Sequence, residues 1–145
     1  MNKAERIEFV ISEFRKADIT IDENQADKFV RLCDFMVEYN ENVNLTSITE
    51  FSEVVVKHFV DSVLPFTMVD IPQGSSFIDV GTGAGFPAIP LLICRPDLKG
   101  TLCDSLNKRC VYLEKACELI GVKSEIIHAR SEELGRKKRE CFDFA

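Results

Sequence analysis

The sequence predicts an α/β fold in which a parallel sheet with flanking helices follows an all-helical N-terminal region. Two observations lead to this prediction. Apolar residues recur at helical spacing up to about residue 64, and after Gly74 short apolar runs alternate with helical segments. Strand–helix alternation implies parallel strands joined by right-handed crossovers. We place the boundary in the turn around Gly74, which gives a helical region over 1–72 and an α/β region over 73–145.

Three helices are predicted in the N-terminal region. The first carries one apolar face made of Ile7, Val10, Ile11 and Phe14. The second repeats the pattern with Ala26, Phe29, Val30, Cys33, Met36 and Val37. Asp22, followed three positions later by Gln25, predicts a capping box at its start, and the polar stretch 40–46 ends it. The third helix covers about 50–64 and ends near Pro65.

The elements of the α/β region follow from turn residues and apolar runs. Strands are predicted over 76–80, 101–103 and 125–128, and helices over 87–94 and 108–120. Pro87 suits a first helical turn, and Gly121 suits a helix end. Beyond them we expect a short helix over 131–138 and the start of a fourth strand over 141–145. A chain that ends inside a strand predicts an incomplete sheet.

Composition and charge exclude several classes of protein. The 145 residues are 46% apolar and 29% charged, with no long apolar run and no signal-peptide core. This predicts a cytoplasmic protein without membrane contact. The net charge of −6 gives no support to nucleic-acid binding. The basic run 136–139 is interpreted as a solvated helix end.

The cysteines are predicted to be structural. None of the six lies in a C-x-x-C pair, and the two histidines stand alone, so no metal site is expected. One helical stripe contains Cys110, Leu113, Cys117 and Ile120, which predicts that these thiols are small core residues.

The loop after the first predicted strand carries the chemistry. Gly81, Gly83 and Gly85 form G-x-G-x-G between a strand and a helix, which brings backbone N–H groups to one sheet edge. A dinucleotide fingerprint would need a glycine where Phe86 stands, and no G-K-[ST] sequence follows. Asp79 beside the loop suits a ribose and an ammonium group better than a pyrophosphate. A purely connecting turn is the less favoured interpretation.

Two further positions are candidate ligand contacts. Asp104 ends the second predicted strand, where an acidic side chain can accept hydrogen bonds from a ribose diol. Its alternative role is the N-cap of the following helix. Ser131 and Glu132 follow the third strand, where an adenine edge would lie. Glu132 is equally explained as an acidic residue in the first turn of a helix.

An ordered set of motifs resembles one known family. The motifs are D-V-G-T-G-A-G-F-P-A-I-P-L from Asp79, D-S-L-N-K-R from Asp104, N-V-N-L-T, H-F-V-D-S, A-R-S-E-E and a late F-D. Together they resemble ribosomal RNA small-subunit methyltransferase G, also called glucose-inhibited division protein B. The resemblance runs through almost the whole chain. Ala88 departs from it, because the family usually has glycine there.

The resemblance implies a helical cap on an incomplete Rossmann-like core that uses S-adenosylmethionine to methylate guanine N7 of 16S ribosomal RNA. It implies cofactor contacts at Gly81, Phe86, Ser131 and Glu132, completed by Gly83, Gly85 and Asp104. The roles of Asn44, His58 and Asp61 stay open, and His58 is equally explained as a packed helix residue. An arginine that contributes to the family's active site would lie beyond Ala145. The alternatives are a cofactor-binding fragment without activity and a dinucleotide-dependent oxidoreductase.

Overall fold

The computed structural model of this protein describes residues 1–130. The predicted helix over 131–138, the predicted strand over 141–145, and the candidates Ser131 and Glu132 therefore lie outside the described residues. Within residues 1–130, helices precede a three-stranded parallel sheet with strand order β1-β2-β3. The predicted α/β class with N-terminal helices is confirmed.

The first two helices begin at capping boxes. Helix α1 spans Lys3–Lys16 and helix α2 spans Glu23–Tyr39. The Asp22 side chain accepts from the Gln25 N–H at 2.8 Å, and the Gln25 side chain accepts from the Asp22 N–H at 2.9 Å, as the sequence predicted. Two orphan N–H groups of the helix start are thereby satisfied.

The third helical segment is irregular where the sequence predicted one continuous helix. It consists of α3 (Phe51–Val54), a π-helical stretch (Val55–Val60), α4 (Asp61–Val63) and a 3₁₀ turn (Leu64–Thr67). The predicted start agrees within one residue, whereas the segment continues past Pro65 to Thr67, and the prediction of a single regular helix was wrong. The π-helical stretch buries valines spaced five residues apart at its two ends, which an α-helix would place on different faces.

The sheet and its helices alternate as predicted. In chain order they are β1 (Ser76–Val80), α5 (Ala88–Cys94), β2 (Lys99–Asp104), α6 (Asn107–Ile120) and β3 (Ser124–His128). The strands agree with the prediction or exceed it by one to three residues. Gly121 closes α6 in the left-handed conformation, as the sequence predicted.

One core joins the helical region to one face of the sheet. Helix α2 packs against both α5 and α6, and these helices lie on the sheet face that carries Phe77 and Leu102. Ile78 and Cys103 belong to a smaller cluster on the opposite face. Cys110 and Cys117 are buried with Leu113 and Ile120, which confirms the predicted stripe. The division of the chain at residue 72 stays a prediction.

Neither a membrane-spanning helix nor a metal-binding cluster is found among residues 1–130. Over residues 1–130, none of the helices combines the length and apolar character needed to cross a bilayer. The same residues hold no cluster of three or more His, Cys, Asp or Glu side chains arranged for a metal ion.

Candidate functional site

The glycine loop is fastened to the neighbouring strand at the carboxyl edge of the sheet. The loop leaves β1 after Val80 and reaches α5 at Ala88. Its Gly81 and Thr82 N–H groups both donate to the Cys103 carbonyl near the end of β2, at 2.9 and 3.1 Å. Because parallel strands end at the same sheet edge, this brings the loop beside Asp104.

The three loop glycines have positive φ angles but different surroundings. The angles are +68° at Gly81, +62° at Gly83 and +94° at Gly85. A Cβ added at Gly81 or Gly83 would meet no atom within 4 Å. At Gly85 it would lie 2.4 Å from Ile89 Cδ1. The first two glycines therefore leave open space along the loop, and Gly85 permits close packing against α5. Direct contact of Gly85 with a ligand stays a prediction.

The Asp79 carboxylate braces the loop from within. Its Oδ2 accepts a hydrogen bond from the Thr82 hydroxyl at 2.8 Å and one from the Ala88 N–H at 3.3 Å. Burial raises the pKa of Asp79, and the negative charge of Asp104 adds to the rise, while the two hydrogen bonds oppose it. The site thus keeps a half-buried carboxylate in an environment that disfavours negative charge.

Asp104 lies on the other side of the loop. It is 2% exposed, and its two oxygens accept from the Gly83 and Leu106 N–H groups, each at 2.9 Å. Arg109 Nη1 lies 3.8 Å from its Oδ1. The alternative role as N-cap of α6 was wrong, because Leu106 occupies the N-cap position. A carboxylate oxygen has two lone pairs, so each oxygen can accept a further hydrogen bond from a ligand.

Phe86 connects the loop to the N-terminal region. Its ring stacks on the His58 imidazole, with centroids 4.7 Å apart and planes 19° apart. Phe59 meets the same ring edge-on at 6.0 Å. Burial lowers the pKa of His58, and the charge of Asp61 opposes this. His58 therefore packs against Phe86, and whether it also has a functional role stays open. Asn44 and Asp61 are exposed.

Three further residues lie in this region and were not predicted from the sequence. Thr82 is buried and donates to Asp79, the Thr46 hydroxyl is hydrogen-bonded to His58, and Leu106 is an exposed apolar side chain two residues after β2. Leu106 could have been found as the one apolar residue in the polar stretch 104–109. No local signal identifies the other two, because each acts through a tertiary contact or a loop-specific hydrogen bond.

Comparison with known proteins gives consistent matches. A family described as rRNA small subunit methyltransferase G matches residues 25–145. Proteins named Ribosomal RNA small subunit methyltransferase G are similar to this chain. The one from Bacillus subtilis is 43% identical over 140 residues, covering 94% of this chain and 59% of the relative. Those from Desulforamulus reducens and Thermoanaerobacter pseudethanolicus are both 41% identical and cover 90% and 99% of this chain. The chain spans 55% and 61% of those two relatives.

Proposed function

Because this chain belongs to the rRNA small subunit methyltransferase G family, we propose that it forms the S-adenosylmethionine-binding part of an enzyme that methylates guanine N7 of 16S ribosomal RNA. The partner in this proposal is the small ribosomal subunit. Ribosomes are cytoplasmic in bacteria, and the proposed substrate therefore gives the protein a cytoplasmic location.

One observation carries the proposal: an open glycine loop lies between two carboxylates. Burial is the main cause that raises the pKa of Asp79, and Asp104 raises it further, so the site favours a ligand that brings positive charge. S-Adenosylmethionine carries a sulfonium and an ammonium group, whereas a dinucleotide carries an anionic pyrophosphate. The electrostatics therefore favour S-adenosylmethionine over the oxidoreductase alternative.

The remaining groups at the sheet edge suit the other parts of this cofactor. Gly81 and Gly83 offer space that any larger residue would reduce. Asp104 is placed to accept hydrogen bonds from a ribose diol. Leu106 is 51% exposed beside it and offers an apolar surface for adenine. Phe86, Ser131 and Glu132 complete the proposed set of contacts.

The proposed reaction needs little acid–base catalysis by the protein. The bound cofactor supplies a methyl group on a sulfonium, and guanine N7 has a lone pair that needs no deprotonation. The protein therefore has to bind the reactants, orient them and exclude water. Positioning of this kind contributes up to about 7–11 kcal/mol in favourable intramolecular reactions. We assign no catalytic base.

A second candidate function is cofactor binding without transfer. The chain spans only about half to three-fifths of its curated relatives, and its net charge is −6. In this alternative, the chain holds S-adenosylmethionine but lacks the surface that orders RNA. Both candidates share the same cofactor site.

Calorimetric titration of this chain with S-adenosylmethionine tests the site. We expect saturable binding that Asp104→Ala abolishes and that Asp97→Ala, which removes a carboxylate from the far end of α5, leaves unchanged. Tighter binding of NAD than of S-adenosylmethionine would contradict the proposal.

Incubation with methyl-labelled S-adenosylmethionine and bacterial small ribosomal subunits separates the two candidates. The Bacillus subtilis relative serves as the positive control for subunit quality. Label recovered as 7-methylguanosine supports the methyltransferase. Binding with no transferred label supports the cofactor-binding alternative.

A further inference from the structure

The contact between His58 and Phe86 joins two parts of the chain that are far apart in sequence. Phe86 is the last residue before the turn into α5, and its N–H donates to the Thr82 carbonyl at 3.3 Å. His58 lies in the π-helical stretch, where it stacks on the Phe86 ring at 4.7 Å. Through the stack and the hydrogen bond between His58 and Thr46, the loop is connected to the polar segment that precedes α3.

His58 is itself held in place by a chain of hydrogen bonds. Its Nε2 lies 2.7 Å from the Thr46 hydroxyl, which also accepts from the Ile48 N–H at 3.1 Å. A hydroxyl that accepts from an N–H can donate its own proton to an unprotonated ring nitrogen. The Asn40 side chain fixes this turn by accepting from the Leu45 and Thr46 N–H groups at 2.8 and 3.0 Å.

The imidazole and the Phe59 ring together fix Phe86. His58 covers one face, with planes 19° apart, and Phe59 approaches edge-on, with planes 66° apart. Aromatic pairs at such distances contribute beyond their buried area. Because the backbone of Phe86 belongs to the same turn as Thr82 and Gly85, fixing its ring also restricts the loop conformations open to the glycines.

We propose that His58 is a positioning residue for S-adenosylmethionine binding, which acts by stacking on Phe86 and holding the glycine loop in its open shape. This inference rests on the proposed function and assigns a role that the motifs left open. His58 does not act on the reacting atoms. Its effect passes through Phe86, and Thr46 acts one step further away by orienting the imidazole.

The test compares four chains by titration with S-adenosylmethionine: wild type, His58→Ala, His58→Phe and Phe14→Leu. Phe14 packs against Phe29 with ring centroids 4.9 Å apart, and two further ring contacts, Phe29 with Phe59 and Phe59 with Phe86, separate it from the loop. Phe14→Leu is therefore the control for destabilisation of the same core without loss of a ring that contacts Phe86. We expect His58→Ala to weaken binding by up to about tenfold, as the loss of one aromatic pair implies. His58→Phe keeps a ring on Phe86 and is expected to stay within about twofold of wild type.

Three results of the titration would overturn the inference. The first is wild-type affinity in His58→Ala. The second is a loss in Phe14→Leu as large as that in His58→Ala, because affinity would then follow stability alone. An equal loss in His58→Ala and His58→Phe would rule out the stacking role.

Amide hydrogen exchange in the ligand-free chains separates this inference from the proposed function. We expect faster exchange at the Phe86 and Gly85 amides in His58→Ala than in wild type, and no change there in Phe14→Leu. If wild type fails to bind S-adenosylmethionine but exchange is faster in His58→Ala than in wild type at these two amides, the proposed function fails and the loop-positioning role stands. Unchanged exchange in His58→Ala overturns the role whatever the titration gives.

Discussion

Replacing the loop glycines one at a time with alanine should separate binding from folding. Gly83 and Gly85 both have positive φ angles, +62° and +94°, and stand two residues apart. An added Cβ at Gly83 meets nothing within 4 Å, whereas one at Gly85 meets Ile89 Cγ1 at 2.8 Å and Leu113 Cδ2 at 3.1 Å. We therefore expect Gly83→Ala to affect mainly binding and Gly85→Ala to affect mainly stability.

The magnitudes follow from backbone strain and packing. A non-glycine residue in the left-handed region costs roughly 1–2 kcal/mol, and this cost applies to both variants. Gly85→Ala adds overpacking against Ile89 and Leu113, which are both completely buried and cannot move aside freely. Overpacking a core typically costs about 1–3 kcal/mol more. The free energy of unfolding should fall by about 1–2 kcal/mol in Gly83→Ala and about 2–5 kcal/mol in Gly85→Ala.

Urea unfolding and S-adenosylmethionine titration measure the two effects separately. Gly121→Ala is the matched control, because Gly121 has a φ of +71°, has no atom within 4 Å of an added Cβ, and lies at the far end of α6. We expect Gly83→Ala and Gly121→Ala to lose similar stability and only Gly83→Ala to lose affinity. A steric clash of about 1–3 kcal/mol between the added methyl group and the ligand corresponds to a loss of about fivefold or more.

Equal stability losses in Gly83→Ala and Gly85→Ala would refute the packing role of Gly85. Unchanged affinity in Gly83→Ala, with the fold intact, would refute the assignment of the open space at Gly83 to the cofactor. Loss of affinity in Gly121→Ala would show that strain alone impairs binding.

Three further predictions concern carboxylates. Asp104→Asn leaves one of two backbone N–H groups facing an amide NH₂, so we expect a stability loss of about 1–3 kcal/mol by urea unfolding, and loss of cofactor affinity by titration. For Asp79, whose folded pKa is raised, the folded state holds its proton to higher pH, so the free energy of unfolding falls as pH rises from about 4 through that pKa; urea unfolding at several pH values should show Asp79→Asn without this decrease. Asp97→Asn removes the ion pair with Arg95 at 2.9 Å and should lower the free energy of unfolding near pH 7 by about 1 kcal/mol. Because that arginine holds the pKa of Asp97 far below its usual range, the difference between wild type and Asp97→Asn in thermal melts should disappear only well below pH 4.

Local signals predicted most of the fold. The start of α2 follows from the hydrogen bonds between Asp22 and Gln25, and the end of α6 follows from the backbone freedom of Gly121. Both depend only on a few neighbouring residues. The approach of Asp104 to the glycine loop follows from parallel pairing, because Val80 and Cys103 share a register position at the carboxyl edge. These features are set by residue type and by topology, so the sequence alone indicates them.

Tertiary packing decided what the sequence left open within the site. The sequence does not distinguish the three glycines from one another. Gly85 differs from Gly83 because Ile89 and Leu113 pack against it. Likewise, the sequence left open whether Asp104 caps α6. In the structure Leu106 occupies that N-cap position, and Asp104 accepts from the Gly83 N–H, which is 21 residues away. The role of Asp104 as a ribose ligand stays a prediction. Such contacts join side chains from different elements, for which a single sequence carries no spacing signal.

The π-helical stretch shows how a local irregularity sets a functional contact. Val55 and Val60 are 0% and 7% exposed, yet five residues of α-helix would rotate them by about 140° from one another. A wider turn lets both valines and Phe59 enter the core, and π-helical segments often occur at functional sites. His58, at the border of that buried face, is then directed at the Phe86 ring instead of solvent. A strict α-helical period would not place the H-F-V-D-S motif against the glycine loop, and that is why the motif alone left the role of His58 undetermined.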